Sequence, residues 1–267
     1  PTHVTGEFPN PDNPNSISAQ DYEYRIDASS AFIGEPTAAG LSPFGVAYTG
    51  VIFDAGEAEF WNDDPLSGWQ YEALGGGISL GLDQQNAHVQ PTGAYHYHGI
   101  PEVFNTGEED TFVGWSADGF PIYMPNYVND NGVPGLHASS YRVRSGVRPG
   151  GPGGVYDGSF VEDYEYIEGL GDLDRCNGLF VQGEYRYILT YDYPFIPRCH
   201  MGLPDPSFTQ IPFPGSDDSR LESSDDSRQL RPQNVMMVHY SRRKVVVNCR
   251  RFGHCRRSSG LDLGLLI

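Results

Sequence analysis

Lysine is almost absent from this 267-residue chain, and arginine is scarce over most of its length. Residues 1–215 contain no lysine and 7 arginines against 29 aspartates and glutamates, so their formal charge is −22. Such a surface repels the phosphate backbone, which excludes nucleic-acid binding by this part of the chain. The acidity suits an extracellular or calcium-rich medium, although solubility alone also accounts for it.

Long apolar runs are missing as well. No stretch approaches the roughly 20 apolar residues of a membrane-spanning helix, which excludes a transmembrane segment in this sequence. No signal-peptide pattern stands at Pro1, so we expect a mature or truncated form. The phosphate-binding P-loop and the dinucleotide-binding glycine fingerprint are both absent. No amphipathic helix of ten residues is predicted, and only AGEAEFWN (55–62) suggests two helical turns.

Glycine (33 residues), proline (21 residues) and aromatic side chains (13%) are abundant instead. Alternating apolar residues between glycine- and proline-rich turns predict short strands. We therefore predict a mainly β fold, a single β-rich domain that is sandwich- or barrel-like, with long Gly/Pro loops and little helix. The clearest predicted strands are YEYRI (22–26), FGVAYTGVIF (44–53), GWSADGFPIY (114–123) and GEYRYILTYDYPF (183–195).

Composition divides the chain into three parts. Residues 1–20 are polar and proline-rich and are predicted to form a flexible N-terminal arm. Residues 21–215 form the predicted β-rich domain. Residues 216–267 begin with the low-complexity run SDDSRLESSDDSRQ, continue with a basic stretch, and are predicted to be a disordered tail.

Cys176 and Cys199 are the two cysteines of the acidic part. A bond between them would close a loop of about 24 residues, which is worth roughly 3 kcal/mol by loop entropy. Two buried free thiols are the alternative. Acidity, the lack of lysine and the wealth of tyrosine and glycine favour an oxidising compartment and hence the disulfide.

The segment NAHVQPTGAYHYHG contains three histidines around one turn. Alternation along a strand places His96 and His98 on one face. A three-residue turn at 91–93 would set His88 opposite His96, on that same face, within reach of a shared ion. A two-residue turn at 92–93 would set His88 opposite Tyr97, on the other face.

Three neutral imidazoles with an open fourth position are typical of a catalytic zinc site, and imidazole also suits copper. The alternative is that the histidines are structural and bond to acids or carbonyls. Glu72 and Asp83 are candidates to orient the imidazoles as hydrogen-bond acceptors. Asp118 is a candidate catalytic base, although Asp before Gly is also a common turn pair. Asp172 and Asp174 suggest calcium, without a complete loop motif.

The ordered motifs resemble those of the YHYH-domain proteins. They are GLDQQNAHVQPTGAYHYHGIP, GWSADGFPIY, YRVRSGVRPGGPGGVYDGSFVEDYEYIEGLGDLDRCNG and YRYILTYDYPFIPRCHMG. The resemblance covers roughly residues 40–207 and implies a secreted or cell-surface β-rich domain, but little about activity. His88, Tyr95, His96, Tyr97, His98, Asp118, Cys176 and Cys199 fall on motif positions. Arg175 departs from the pattern, because the family more usually has DECNG where this chain has DRCNG.

Three functional hypotheses follow. The leading one is a secreted or cell-surface metal-binding domain, with zinc or copper on His88, His96 and His98, and it leaves open whether the domain is a metalloenzyme. The second is an extracellular binding or adhesion module that contacts glycans or proteins through an aromatic surface of Tyr95, Tyr97, Trp69 and Trp115. The third is an acidic calcium- or mineral-associated protein.

Overall fold

The structure is a computed structural model that describes residues 3–209 and, beyond them, the backbone of two strands at 235–241 and 244–248. The described residues contain short strands joined by long loops, and the only helices among them are 3-10 helices of three residues each. The strands are β1 (Glu23–Asp27), β2 (Thr37–Ala38), β3 (Gly45–Ala47), β4 (Ile52–Phe53), β5 (Ala87–Val89), β6 (Tyr95–Tyr97), β7 (Phe112–Ser116), β8 (Pro121–Tyr123), β9 (Asn126–Val128), β10 (Pro134–Leu136), β11 (Tyr141–Val143), β12 (Tyr164–Tyr166), β13 (Gly178–Val181), β14 (Glu184–Ile188), β15 (Cys199–His200), β16 (Val235–Ser241) and β17 (Lys244–Asn248). The 3-10 helices are Trp61–Asp63, Glu102–Phe104, Val161–Asp163 and Pro206–Phe208.

One sheet of eight strands organises the domain. Its hydrogen-bonding order is β13-β14-β8-β7-β3-β4-β6-β5. The β14–β8 and β4–β6 pairs are parallel, and the other neighbours are antiparallel. The mainly β class with little helix is therefore confirmed. The largest sheet runs from β13 at one edge to β5 at the other.

Side-chain alternation gives this sheet a packed core on each face. In β4, Phe53 belongs to the larger apolar cluster, whereas Ile52 points into a smaller cluster with Tyr24 and Ile26 of β1. Strand β1 shows the matching pattern, because Tyr24 and Ile26 are buried and the residues between them are exposed. A half-buried strand with period two is what alternation in YEYRI predicts.

The predicted helical turns at 55–62 do not form. Only Trp61–Asp63 is helical, as a 3-10 turn, and Asn62 within it has a positive φ of 58°. Residues 51–57 are instead buried one after another, as in an extended segment inside the core. Burial on successive residues cannot be satisfied by an amphipathic surface helix, which needs one exposed face.

The N-terminal residues contact the sheet, and the flexibility predicted for residues 1–20 stays a prediction. The Asn13 and Asn15 side-chain amides donate to the Val89 carbonyl oxygen of β5 at 3.0 and 2.8 Å. Strand β5 lies at the edge of the eight-stranded sheet, so its outer backbone groups need partners. The described part of the arm supplies such partners and is thereby held against the sheet.

Two segments of the predicted disordered tail are strands. Strand β16 pairs with β1, and β17 pairs with β16, both antiparallel. Their sequences, VMMVHYS and KVVVN, are rich in the β-branched residues that favour strands. The prediction for the rest of the tail falls on residues outside the described part. The boundaries 21–215 of the β-rich domain stay a prediction.

The disulfide between Cys176 and Cys199 is present, with its Cα atoms 5.1 Å apart. Cys176 is fully buried and belongs to the larger apolar cluster, and the partly buried Cys199 packs against that cluster. The bond joins the segment before β13 to β15, which pairs with β2. It therefore fixes a short two-stranded sheet to the main core.

Replacing both cysteines by alanine should lower the free energy of unfolding by about 3 kcal/mol, because the open chain gains loop entropy. Urea unfolding of the oxidised wild type and the double variant measures the difference. Reduced wild-type protein is the matched control and should resemble the variant. A change within about 0.5 kcal/mol, the size of a neutral surface substitution, would contradict the prediction.

The glycine-rich loop 148–158 is held by a buried arginine. Arg148 donates to Asp163 at 2.7 and 2.6 Å, to Asp157 at 2.5 Å, and to the Gly153 carbonyl oxygen at 2.8 Å. Asp163 is fully buried, whereas the Asp157 side chain is about half exposed. A hydrogen bond from Ser159, together with Arg148, lowers the pKa of Asp157 to about 2.

Asp157 should stabilise the fold only while it is ionised. Its folded pKa lies below its ordinary value of about 3.9, so the stabilisation is present above about pH 4 and is lost as the pH falls towards 2. The stability difference between wild type and Asp157→Asn should therefore shrink over that interval in urea unfolding. A difference that stays constant with pH would refute this role. Solvent screening keeps the effect small.

Candidate metal centre

The hairpin β5–β6 has the three-residue turn that the metal hypothesis requires. Gln90 N–H donates to the Ala94 carbonyl oxygen at 2.9 Å, and Gly93 N–H donates to the Gln90 carbonyl oxygen at 2.8 Å. Gly93 has φ of +84°, and a Cβ there would lie 2.1 Å from Ser18 Oγ, so only glycine fits. The register consequently pairs His88 with His96.

His88, His96 and His98, hereafter the three-histidine cluster, converge on one point. The Nε2 atom of His98 lies 3.0 Å from Nε2 of His88 and 2.9 Å from Nε2 of His96. One potential ligand atom from each residue lies within 4.8 Å of the others. Two nitrogens bound at 2.0–2.1 Å to one ion are about 2.8–3.4 Å apart at angles of about 90–110°. The spacing thus matches a shared ion.

The outer nitrogens of two rings are fixed by backbone carbonyls. His88 Nδ1 lies 2.8 Å from the Leu80 carbonyl oxygen, and His96 Nδ1 lies 3.2 Å from the Ala94 carbonyl oxygen. A carbonyl oxygen only accepts, so each Nδ1 carries the proton and donates. The Nε2 atom of each neutral ring is then left with a lone pair.

The third ring is fixed by a carboxylate. His98 Nδ1 lies 3.1 Å from Glu57 Oε1, and both side chains are almost completely buried. Its Nε2 therefore also bears a lone pair when the ring is neutral. Three lone pairs that face one another at such short distances repel unless a cation lies among them.

A proton on one of the rings could supply that positive charge, but burial disfavours the protonated imidazole. The three side chains are 7%, 2% and 3% exposed for His88, His96 and His98. Burial lowers the pKa of His96 and of His98 well below the ordinary value, and the neighbouring imidazoles lower it further. The pKa of His88 is also lowered, chiefly by burial. The rings are thus held in the neutral form that metals bind.

A cavity of about 360 Å³ opens in front of the three-histidine cluster. Its wall includes four carboxyl side chains, which are Asp12, Asp54, Glu57 and Glu59. We call this space the acidic cavity. Burial, with Glu57 as the next contribution, raises the pKa of Asp54 to about 8.

Behind Glu57 stands a buried guanidinium. Arg198 lies 3.6 Å from Glu57 Oε2 and hydrogen-bonds to Glu72 Oε2 at close range. Glu57 Oε2 accepts no hydrogen bond among the described residues. Burial raises the pKa of Glu57, and the Arg198 charge opposes that rise. Arg198 therefore helps to keep the acceptor of the His98 proton in place.

Glu57 is the functional residue that sequence reasoning missed. It lies 41 positions from His98 in a segment whose pattern suggested a helix. The predicted orienting acids lie elsewhere. Glu72 bonds to Arg198, and Asp83 accepts from Tyr95 Oη at 2.7 Å. Neither has a recorded contact with an imidazole. The largely apolar run 51–57, which contains only two acids, Asp54 and Glu57, was the available signal.

Asp118 is not part of the acidic cavity. Its carboxylate accepts from Ser116 Oγ, from Tyr187 Oη at 2.6 Å and from Gly202 N–H at 2.8 Å. These donors lie on β7, on β14 and just after β15, so Asp118 ties three segments together. The structure does not bring Asp118 to the three-histidine cluster.

Two of the four residues in the predicted aromatic surface are buried. Tyr95 and Tyr97 are buried in the larger apolar cluster, on the face of β6 opposite to the histidines. Trp69 is half-buried and packs edge-on against Phe160. Trp115 is half-buried against the smaller cluster. The tyrosines of YHYH therefore anchor the strand, while its histidines face the acidic cavity.

The candidate calcium ligands accept hydrogen bonds from groups of the protein itself. Asp172 accepts from the Ala138 N–H and from His137 Nδ1. Asp174 accepts from the Cys176 and Gly178 N–H groups, both at 2.9 Å. These carboxylates hold loops in place, and they are not among the residues that could share an ion in the described part of the chain.

The sequence contains one match to the serine-hydrolase motif, but the motif's structural context is absent around it. The pentapeptide GISLG at 77–81 fits the G-x-S-x-G pattern of serine hydrolases. Ser79 Oγ donates to Asp12 Oδ2 at 2.7 Å, and the segment has no strand–turn–helix around it. The exposed nucleophile turn of those enzymes is therefore not formed.

Comparison with known proteins places the chain in a family. The model of the family described as YHYH protein matches residues 23–202. No curated protein and no solved structure matches the chain. Among the described residues, no helix has the length and apolar character needed to cross a membrane. The matched span contains the β5–β6 hairpin, the disulfide and the whole eight-stranded sheet, and the chain belongs to the YHYH protein family.

Proposed function

We propose that this chain is a metal-binding domain in which the three-histidine cluster holds one divalent transition-metal ion, zinc or copper. The observation that carries the proposal is the convergence of three buried Nε2 atoms, two of them at 2.9 and 3.0 Å from the third. Every Nδ1 atom has an acceptor outside the cluster. Metal-binding histidines characteristically have this second hydrogen bond.

The surrounding charge supports a cation. Glu57 contacts His98 directly, and Arg198 faces two carboxyl side chains, Glu57 and Glu72. One guanidinium carries a single positive charge for two buried carboxyl groups whose pKa values are raised by burial, and a further positive charge nearby would favour their ionised forms. Imidazole nitrogen is a good ligand for both zinc and copper.

The acidic cavity supports a catalytic use of the ion. Three protein ligands with an open position are the pattern of catalytic zinc sites, whereas structural sites are closed by a fourth. The open side of the three-histidine cluster faces a cavity of about 360 Å³. We therefore propose a metalloenzyme, in which the ion activates water or polarises a substrate oxygen.

We also propose that the protein is secreted or displayed at the cell surface. The Cys176–Cys199 disulfide supports this location, because such bonds persist in oxidising compartments. No observation favours the alternative adhesion or calcium functions. The adhesion surface would need Tyr95 and Tyr97, which are buried. The carboxylates of Asp172 and Asp174, the candidate calcium ligands, accept hydrogen bonds from backbone N–H groups.

Purified wild-type protein should contain about one equivalent of zinc or copper by elemental analysis, since one three-imidazole site binds one ion. The variant His96→Ala should lose most of the metal, because only two of the three imidazole ligands remain. His3→Ala is the matched control. It removes a histidine from the wall of a different, shallow surface pocket and should keep full occupancy.

Equal metal content in His96→Ala and wild type would refute the site. Wild-type protein that stays metal-free after dialysis against zinc and copper salts would also refute it. Circular dichroism of each variant separates loss of ligands from loss of fold.

The variant Glu57→Gln should bind zinc about 10–100-fold more weakly, the usual effect of losing a partner that orients a ligand. The amide no longer supplies a charged acceptor for the His98 proton. Competition with a chromophoric zinc chelator measures the change. Glu102→Gln, at an exposed position of a 3-10 helix, is the control, because it removes the same charge away from the site. Unchanged affinity in Glu57→Gln would show that Glu57 does not orient the site.

A further inference from the structure

The acidic cavity has a strongly one-sided chemistry. Its lining contains Asp12, Asp54, Glu57 and Glu59 and no lysine or arginine. The nearest buried guanidinium, Arg198, is turned to Glu57 and Glu72 and does not line the space. Apart from the ion proposed at the three-histidine cluster, these walls offer no positive charge to an incoming anion.

The acids retain capacity to accept hydrogen bonds from a ligand. Asp54 Oδ2 accepts only from Gln90 Nε2 at 3.1 Å among the recorded contacts, and Asp12 Oδ2 accepts from Ser79. Glu57 Oε2 has no room for a ligand donor, because it is buried and lies 3.6 Å from the Arg198 guanidinium. A carboxylate has about four acceptor positions, so Asp54 and Asp12 can each take a further donor.

The wall also has an apolar part. Leu80, Val89, Pro14 and Pro91 line the same space. Pockets for small organic molecules combine such apolar walls with a few placed polar groups. The volume of about 360 Å³ falls within the range of small-molecule pockets. The ligand expected is therefore a small organic molecule rather than a bare ion.

We infer that the acidic cavity takes a small ligand with a neutral or positively charged nitrogen group, bound beside the metal, and that it rejects carboxylates and phosphates. This inference rests on the proposed function, because the metal supplies the second attachment point. An ammonium or amine donates to the wall acids, whereas an anion meets like charge at close range in a partly desolvated space.

Part of this selectivity comes from outside the span that matches the family. Asp12, Asn13 and Asn15 form one wall, and the match begins at residue 23. Asn13 is almost fully buried and lies 3.3 Å from His88 Nδ1. The N-terminal arm thus contributes to the specificity of the site. Asp12 of the arm and Glu59 outside it are the accessible charged groups of the acidic cavity.

The test uses cobalt-loaded protein at about pH 8.5, roughly two units above the ordinary imidazole pKa, and three probes that share an imidazole donor. They are histamine, which carries an ammonium group, neutral 4-methylimidazole, and anionic imidazole-4-acetate. Changes in the visible cobalt spectrum give a dissociation constant for each probe. Imidazole-4-acetate should bind at least about tenfold more weakly than 4-methylimidazole, and histamine at least as tightly, by the Coulomb energy of close charges.

The double variant Asp12→Asn/Glu59→Gln should reduce the tenfold ratio by about threefold or more, because two wall charges are removed. Glu35→Gln/Asp130→Asn makes the same change at exposed positions outside the cavity and should leave the ratio unchanged. If the double variant fails to fold, the exposed single variant Asp12→Asn should shift the ratio in the same direction.

Two results would overturn the inference alone. One is equal binding of the anionic and neutral probes to wild-type protein. The other is an unchanged ratio in the folded cavity variants. Protein that binds no cobalt overturns the proposed metal site and this inference with it, so the two failures are distinguishable.

Discussion

Three buried imidazole nitrogens face one another at hydrogen-bond distance, and each ring already donates its one proton elsewhere. The acceptors are the Leu80 carbonyl, the Ala94 carbonyl and the Glu57 carboxylate. This arrangement is unfavourable without a cation, since lone pairs repel and burial lowers the pKa of every ring. The hairpin turn brings His88 to the other two rings, Glu57 orients His98, and the cavity leaves one side of the cluster open.

In the eight-stranded sheet, a single strand carries apolar anchors on one face and a histidine of the cluster on the other. In β6, Tyr95 and Tyr97 enter the larger apolar cluster, and His96 points to the other face. The tyrosines bury large aromatic area and fix the height and tilt of the strand. The histidines consequently sit on a rigid element, which a metal site needs for accurate ligand positions.

Distant parts of the chain complete the site. Arg198 stands beside the disulfide cysteine Cys199 and reaches Glu57 and Glu72 at once. The N-terminal arm contributes Asn13 from 75 residues away from His88. The disulfide therefore fixes the segment that carries the guanidinium, while the arm lines part of the acidic cavity. Both supports act on the same hairpin, although neither is local to it in sequence.

The sequence by itself determined the β class, the strand around YHYH and the single face shared by His96 and His98, because these follow from a period of two. It also pointed to the turn at 91–93, where Gly93 alone fits a positive φ against Ser18. Tertiary structure decided between the two possible turns and so brought His88 to His96.

The choice of Glu57 over Glu72 and Asp83, the remote place of Asp118 and the role of the arm were also decided by tertiary structure. Local patterns report which face a side chain takes along its own strand. They carry no information about which acid from a distant segment meets it across the core.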